Sequence, residues 1–249
     1  MPVTRTAPTC RHGGDGRDPQ DRLSVELRRA TSADHQRVEQ LLRLPDRLTD
    51  VAALRQVLLL WVHLWSDVAV APHQDDAAAA RPPEAEDLPA VAVRALNRLA
   101  TDLQELADAS AADPTGPTPV PGQGWAGGPL SRLRSDIPGR WGVDYVLRGT
   151  LVGGRTLAPT VTRHLRLPEG VGVRYLSAEG EDVGRDWADF RHRLDTWGAD
   201  ASPEQCEAVV DAATATFHTV QDWAVELLGD NAGAPTRFGR VVPLPRASS

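Results

Sequence analysis

The chain has 249 residues and a net charge of −7, with 41% hydrophobic and 24% charged residues. This balance suits one soluble domain with a sizeable core and excludes a general affinity for nucleic acid or anionic membrane. All 27 basic residues are arginine, which rules out lysine Schiff-base chemistry, pyridoxal phosphate enzymes and a Walker-type phosphate loop. Cys10 and Cys206 are too few for a disulfide framework or a thiolate metal cluster, so a cytoplasmic location is expected.

Residues 1–21 lack the apolar core of a secretory signal and read as a disordered leader. From Leu23 to Leu42 the apolar residues recur at helical spacing, with Asp21 available as a cap and Thr31–Asp34 as a short break. Thr49-Asp50 opens a second helix that ends before Pro72. Its longest apolar run, Val57 to Val62, falls far short of the ~20 residues that span a bilayer. Residues 73–89 are acidic and rich in Ala and Pro, and read as a loop. A third helix covers about 90–109, with Leu96, Leu99, Leu103 and Leu106 on one stripe.

Residues 110–129 hold too much Pro and Gly for a regular element and read as an exposed connection within one domain, 22–229. Helical patterning returns from Gly139 to His164, despite Pro159, and again from Asp182 to Trp197. Ser202-Pro203-Glu204-Gln205 starts a final helix with an N-cap, a first-turn proline and a capping-box glutamine. Its buried stripe runs from Cys206 through Phe217 to Leu227, Gly229 ends it, and 230–249 form a flexible tail. Alternating strand patterns are nearly absent. The expected class is all-α.

Two segments carry chemistry. In the first, His35 and Glu39 are four residues apart and share a helical face, so the carboxylate can hold one ring nitrogen while the other faces a metal. Those are the parts of a haem-ligating histidine, though a surface pair formed for solubility has the same spacing. The second is Trp141 to Arg155, where Gly149, Gly153 and Gly154 interrupt a helix at ~1 kcal/mol each relative to alanine. Such a cost needs compensation. Either another helix packs closely through the small residues, or a flat ligand lies against the exposed backbone.

Together the two segments resemble the biliverdin-producing haem oxygenases, in particular the bacterial, bacteriophytochrome-associated type. Leu27, Arg28, Ala30, Thr31, His35 and Glu39 match that family's first-helix motif, and Tyr145-Val146-Leu147-Arg148-Gly149-Thr150-Leu151-Val152-Gly153-Gly154 matches its distal helix. Trp187, Phe190, Phe217 and Trp223 follow in the family's order, so the resemblance covers about residues 22–228. It implies a multi-helix single domain in which His35 is the proximal iron ligand, steadied by Glu39. Gly149, Gly153 and Gly154 would lay backbone over the haem, and Arg28 and Arg191 would meet its propionates. The implied reaction is oxidative cleavage of haem to biliverdin, with release of CO and ferrous iron. It would use O2 and an external reductant, either a ferredoxin or a flavoprotein reductase, with a bacteriophytochrome as biliverdin acceptor.

The chain departs from the family at three places beside the expected pocket. Thr150 stands where the mammalian branch has aspartate and bacterial members commonly have serine; Arg148 replaces the usual glutamate; Val152 replaces leucine. The alternatives are a catalytically silent haem-binding or haem-sensing protein on the same scaffold, and a haem-free helical interaction protein in which the glycines only pack helices. His63 reads as a core or rim residue. His164, His192 and His218 lack the Glu-x-x-His partners of a di-iron site.

Overall fold

The computed structural model describes residues 22–69, 88–109 and 128–229, and among these there is no strand. The helices are α1 (Leu23–Ala30), α2 (Ser32–Leu42), α3 (Val51–Ala69), α4 (Leu88–Ala109), α5 (Pro129–Leu133), α6 (Ile137–Leu165), α7 (Arg174–Ser177), α8 (Val183–Asp200) and α9 (Pro203–Leu228). The leader, the tail, Asp21, Cys10 and most of the 73–89 and 110–129 stretches lie outside the described residues. Of the last two, Leu88 and Pro89 already belong to α4, and Pro129 opens α5.

Local chemistry sets most helix ends. The expected capping box is present: the Ser202 hydroxyl accepts from Gln205 N–H, and the Gln205 side chain accepts from Ser202 N–H. Asp50 accepts from Ala53 N–H at 2.8 Å at the start of α3, and Asp136 from Gly139 N–H at 2.8 Å at the start of α6. In each case a carboxylate satisfies an orphan first-turn donor. The break between α1 and α2 narrows to Thr31, whose buried hydroxyl donates to Leu27 O at 2.7 Å. Residue 22, an arginine, takes the N-cap position of α1 without a side-chain cap bond.

α6 and α9 form the centre, with the α3–α4 pair against one side and α8 against another. The core between them buries Trp65, Tyr175, Phe190, Leu58, Leu64 and Leu99 completely or nearly so. α3 is long and apolar enough by length and composition to cross a membrane, yet 56% of that window is buried in the protein. Its apolar surface is used against α4, α5 and α9. Distant parts of the chain are tied by polar bonds. Ser24 at the start of α1 donates through its N–H and hydroxyl to Asp195 of α8 at 2.8 and 2.9 Å. Arg47 donates to the terminal Leu228 carbonyl of α9 at 2.7 Å.

Two of these packings position the site. At Gly142, α6 crosses α9 at close range: a Cβ there would lie 2.6 Å from Val209 O and 2.7 Å from Ala213 N. α2 also packs on α9, but it makes no extensive contact with α6. α2 and α6 are thus both carried on α9.

Candidate functional site

The N-terminal part of α2 and the middle of α6 come near one another at one place. There the Tyr145 phenol of α6 comes close to the Thr31 side chain, at the junction of α1 and α2. His35 lies one helical turn beyond Thr31 on α2, and Gly149 lies one turn beyond Tyr145 on α6. The two helices that carry the sequence-predicted residues are therefore joined just before them.

His35 is held from two directions. Its Nδ1 lies 3.6 Å from Glu39 Oε1, with the two side chains 59% and 66% exposed. Its ring meets Phe217 of α9 edge-on, with centroids 6.0 Å apart. At 3.6 Å the His35–Glu39 contact is an electrostatic approach and not a formed hydrogen bond. It nevertheless turns Nδ1 toward the carboxylate and leaves Nε2 as the outward nitrogen. The neighbouring Asp34 also engages α9: its carboxylate lies 3.3 Å from His218 Nε2, and its carbonyl accepts from Gln221 at 3.4 Å. His218, which reads in sequence as a scattered histidine, thus helps seat the His35 segment on α9.

The three interrupting glycines of α6 separate into two kinds. A Cβ at Gly149 or Gly153 would meet no atom within 4 Å, whereas at Gly154 it would sit 2.8 Å from the carbonyl oxygen of Leu176 in α7. Helix packing therefore accounts for Gly154 and Gly142 but not for Gly149 and Gly153. The two latter glycines expose bare helix backbone on one face, with no neighbour among the described residues to repay about 1 kcal/mol each.

Arg28 of α1 and Arg191 of α8, far apart in sequence, both act on Tyr145. Burial pushes the Tyr145 phenol above its usual pKa, against the opposing pull of Arg28, the Thr31 side chain, and Arg191. Both arginines are exposed at this edge, and Arg191 also lies over the Trp187 ring at 5.8 Å. Trp187 packs on Tyr145 at 5.5 Å and stacks on Phe190 at 5.6 Å. Two guanidinium forks beside a phenol on an apolar wall can hold carboxylates by charge-assisted hydrogen bonds.

Arg148 does not lie beside this space. It is buried on another face of α6, with its guanidinium 5.4 Å from the Phe190 ring centroid, in a small cleft with Val91, Arg94, Leu151 and Glu181. The reason is helical geometry. Arg148 is about 100° from Gly149 and about 140° from Gly153 at 3.6 residues per turn, which turns it toward α4 and α8. Its charge therefore cannot be counted as lining the space beside the glycines.

Thr150 borders the open face and belongs to a buried polar chain. Its hydroxyl donates to Leu147 O at 2.7 Å and lies 3.3 Å from the Tyr175 hydroxyl. The Tyr175 hydroxyl accepts from Trp65 Nε1 at 2.9 Å. Full burial pushes the Tyr175 phenol up to about 12. Asp102 of α4 anchors α7 by accepting from the N–H groups of Arg174 and Tyr175, both at 2.9 Å. Burial raises Asp102 to about 6, offset in part by those two bonds.

Sequence reasoning missed Tyr145 as a site residue, and it missed Tyr175 and Asp102 altogether. Tyr145 was marked only by its place in a motif. Tyr175 lies in a short helix within a glycine-rich stretch that has no periodicity to mark it. Asp102 reads as an ordinary polar position on an amphipathic helix. His63 is the core-rim residue expected, with Nδ1 2.7 Å from Leu59 O and its ring 6.4 Å from Trp223. Among the described residues, no group of three or more His, Cys, Asp or Glu side chains could hold a metal ion.

No family model and no curated protein matches the chain by sequence. Among solved structures it is similar to the NO- and CO-bound haem oxygenase of Neisseria meningitidis. The two share 18% identity, and the match covers 88% of this chain and 98% of that one, with a TM-score of 0.59. The chain has the all-α haem oxygenase fold.

Proposed function

We propose that the chain is a biliverdin-producing haem oxygenase of the bacterial, bacteriophytochrome-associated type. On this reading it cleaves haem oxidatively and releases CO and ferrous iron. The observation that carries the reading is the bare face of α6. Gly149 and Gly153 are costly in a helix, no described residue packs against them, and His35 lies on the other helix that rests beside them on α9. A flat macrocycle fits a wall without side chains, and the donor set fits haem: one imidazole, oriented by a carboxylate, with two arginines and a tyrosine at one edge.

In this reading His35 Nε2 would bind the haem iron, and Glu39 would keep the ring turned with Nδ1 toward the carboxylate. Arg28, Arg191 and Tyr145 bind the propionate edge and so set which side of the ring lies under α6. Gly149 and Gly153 would offer the macrocycle a wall without side chains, while Gly154 holds that stretch of helix against α7. When bound, haem supplies the iron that takes up O2 and is itself the porphyrin that is opened. Electrons come from a ferredoxin or flavoprotein reductase in the cytoplasm, with a bacteriophytochrome as acceptor of the biliverdin. Residues 22–229 form the catalytic domain, between the leader and the tail.

The test is a haemin titration followed by turnover. A stoichiometric complex with a Soret band, then biliverdin absorbance and CO after reductant and O2 are supplied, is the expected result. A complex that yields neither product indicates a haem carrier or sensor. Failure to form any complex overturns the reading in favour of a helical interaction protein.

A further inference from the structure

Arg94, Arg98, Asp102 and Glu105 follow one another on α4 at steps of four, four and three residues. They form a polar stripe beside the apolar one of Leu96, Leu99, Leu103 and Leu106. Such a stripe is ordinarily left to water. Here residues 172–181, which contain α7, lie along it, and Asp102 is fully buried.

Each member of the stripe grips that strap. Glu105 accepts from the Gly172 N–H at 3.1 Å and from the Arg174 guanidinium at 2.9 Å. Asp102 accepts from the Arg174 and Tyr175 N–H groups, both at 2.9 Å. Arg98 donates to the Glu179 carbonyl at 2.9 Å and meets the Glu181 carboxylate at 2.7 Å. Arg94 donates to the same carboxylate at 2.8 Å. The bonds from Arg174 hold Glu105 below the usual carboxylate range. Burial opposes the charge on Glu181, but the bonds from Arg98 and Arg94 outweigh it and hold that carboxyl low as well. Both ends of the strap are therefore fastened by ion pairs. Only Arg174–Ser177 of it is helical, so its place depends on these outside bonds.

The opposite side of the strap meets α6. The Leu176 backbone occupies the space that a side chain at Gly154 would need, and the buried Tyr175 ring lies 6.0 Å from that of Trp61. The turn just before Gly154 is the weakest part of α6, because Gly149 and Gly153 each cost about 1 kcal/mol there. A helical turn of low intrinsic stability takes its course from what it rests on.

We propose that Arg94, Arg98, Asp102 and Glu105 are positioning residues: they hold the strap, and the strap, through Leu176 on Gly154, holds the Gly149–Gly153 turn of α6 in place. As far as it concerns a ligand, the proposal rests on the haem reading of that turn. It makes retention of the macrocycle depend on ion pairs formed by α4, a helix that carries none of the candidate haem-binding residues.

Two measurements decide this. The first is amide hydrogen exchange of the haem-free protein, in Glu181→Ala and in the milder Glu105→Gln, one at each end of the strap. Exchange should quicken by about three- to tenfold at both 172–181 and 149–156 in Glu181→Ala, and by less in Glu105→Gln. α1, α2 and α9 should keep the wild-type rate. Quickening confined to 172–181 overturns the link to α6. An equal rise in every helix, or none anywhere, overturns the positioning role. The second is haemin release from the ferric complex into excess apomyoglobin, which should quicken in Glu181→Ala by a factor comparable to that of exchange at 149–156. Release at the wild-type rate despite faster exchange overturns the effect on the ligand. A protein that takes up no haem overturns the functional reading and the ligand half of the proposal, while haem-free exchange still decides whether α4 holds α6.

Discussion

Tyr145 of α6 lies beside Thr31 at the junction of α1 and α2, and this contact brings together the helices that carry Gly149 and His35. Because both helices also rest on α9, the positions of His35 and Gly149 relative to one another are set by contacts on both sides. The consequences can be measured residue by residue.

The glycines give the sharpest contrast. Gly149→Ala should raise the stability of the haem-free protein by about 0.5–1 kcal/mol, since alanine is the better helix former and its Cβ meets nothing. Gly142→Ala and Gly154→Ala should each lower it by about 1–3 kcal/mol, because their Cβ atoms would strike α9 and α7 backbone. Urea denaturation of the three variants checks this. A destabilised Gly149→Ala would restore helix packing as the reason for that glycine.

His35→Ala should leave haem-free stability within about 0.5 kcal/mol, as an exposed side chain does. It should remove the axial imidazole signature from the ferric spectrum, and added imidazole should restore it. Glu39→Gln should keep the ligand but weaken haem binding by about 10–100-fold. An unchanged ferric spectrum in His35→Ala would refute the ligand assignment.

Arg28→Gln and Arg191→Gln should each weaken haem binding by about tenfold with little change in stability, since each removes one charge-assisted bond. Haemin with esterified propionates should bind the wild type more weakly and be insensitive to either substitution. Equal loss for the acid and the ester would place the arginines elsewhere.

Asp102 predicts a pH dependence of stability. Its folded-state pKa, raised to about 6, lies above the unfolded value, so the folded state binds the extra proton. Stability should fall as pH rises from about 4 to about 6 and level off above, by on the order of 2–3 kcal/mol. Asp67, also raised by burial, contributes in the same direction. Asp102→Asn should flatten the fall relative to wild type in denaturation series at pH 4, 5, 6 and 7. A slope identical to wild type would show that Asp102 titrates normally.

The linear sequence determined the longer helices, because their signals are local, but not the short α5 and α7. The Ser202 capping box, the spacing of Leu96, Leu99, Leu103 and Leu106, and the pairing of His35 with Glu39 all act within one or two turns. It also marked the glycines of α6 as anomalous, since helix propensity is a property of each residue. Only the tertiary structure could sort those glycines. Gly149, Gly153 and Gly154 cost the same in isolation, but what lies beyond each missing side chain depends on α7 and α9, which come from elsewhere in the chain. The same reason brought Arg28 and Arg191 to one edge, at Tyr145. It also gave Thr150 a partner in Tyr175, because a hydrogen bond between distant segments leaves no periodic trace in either of them.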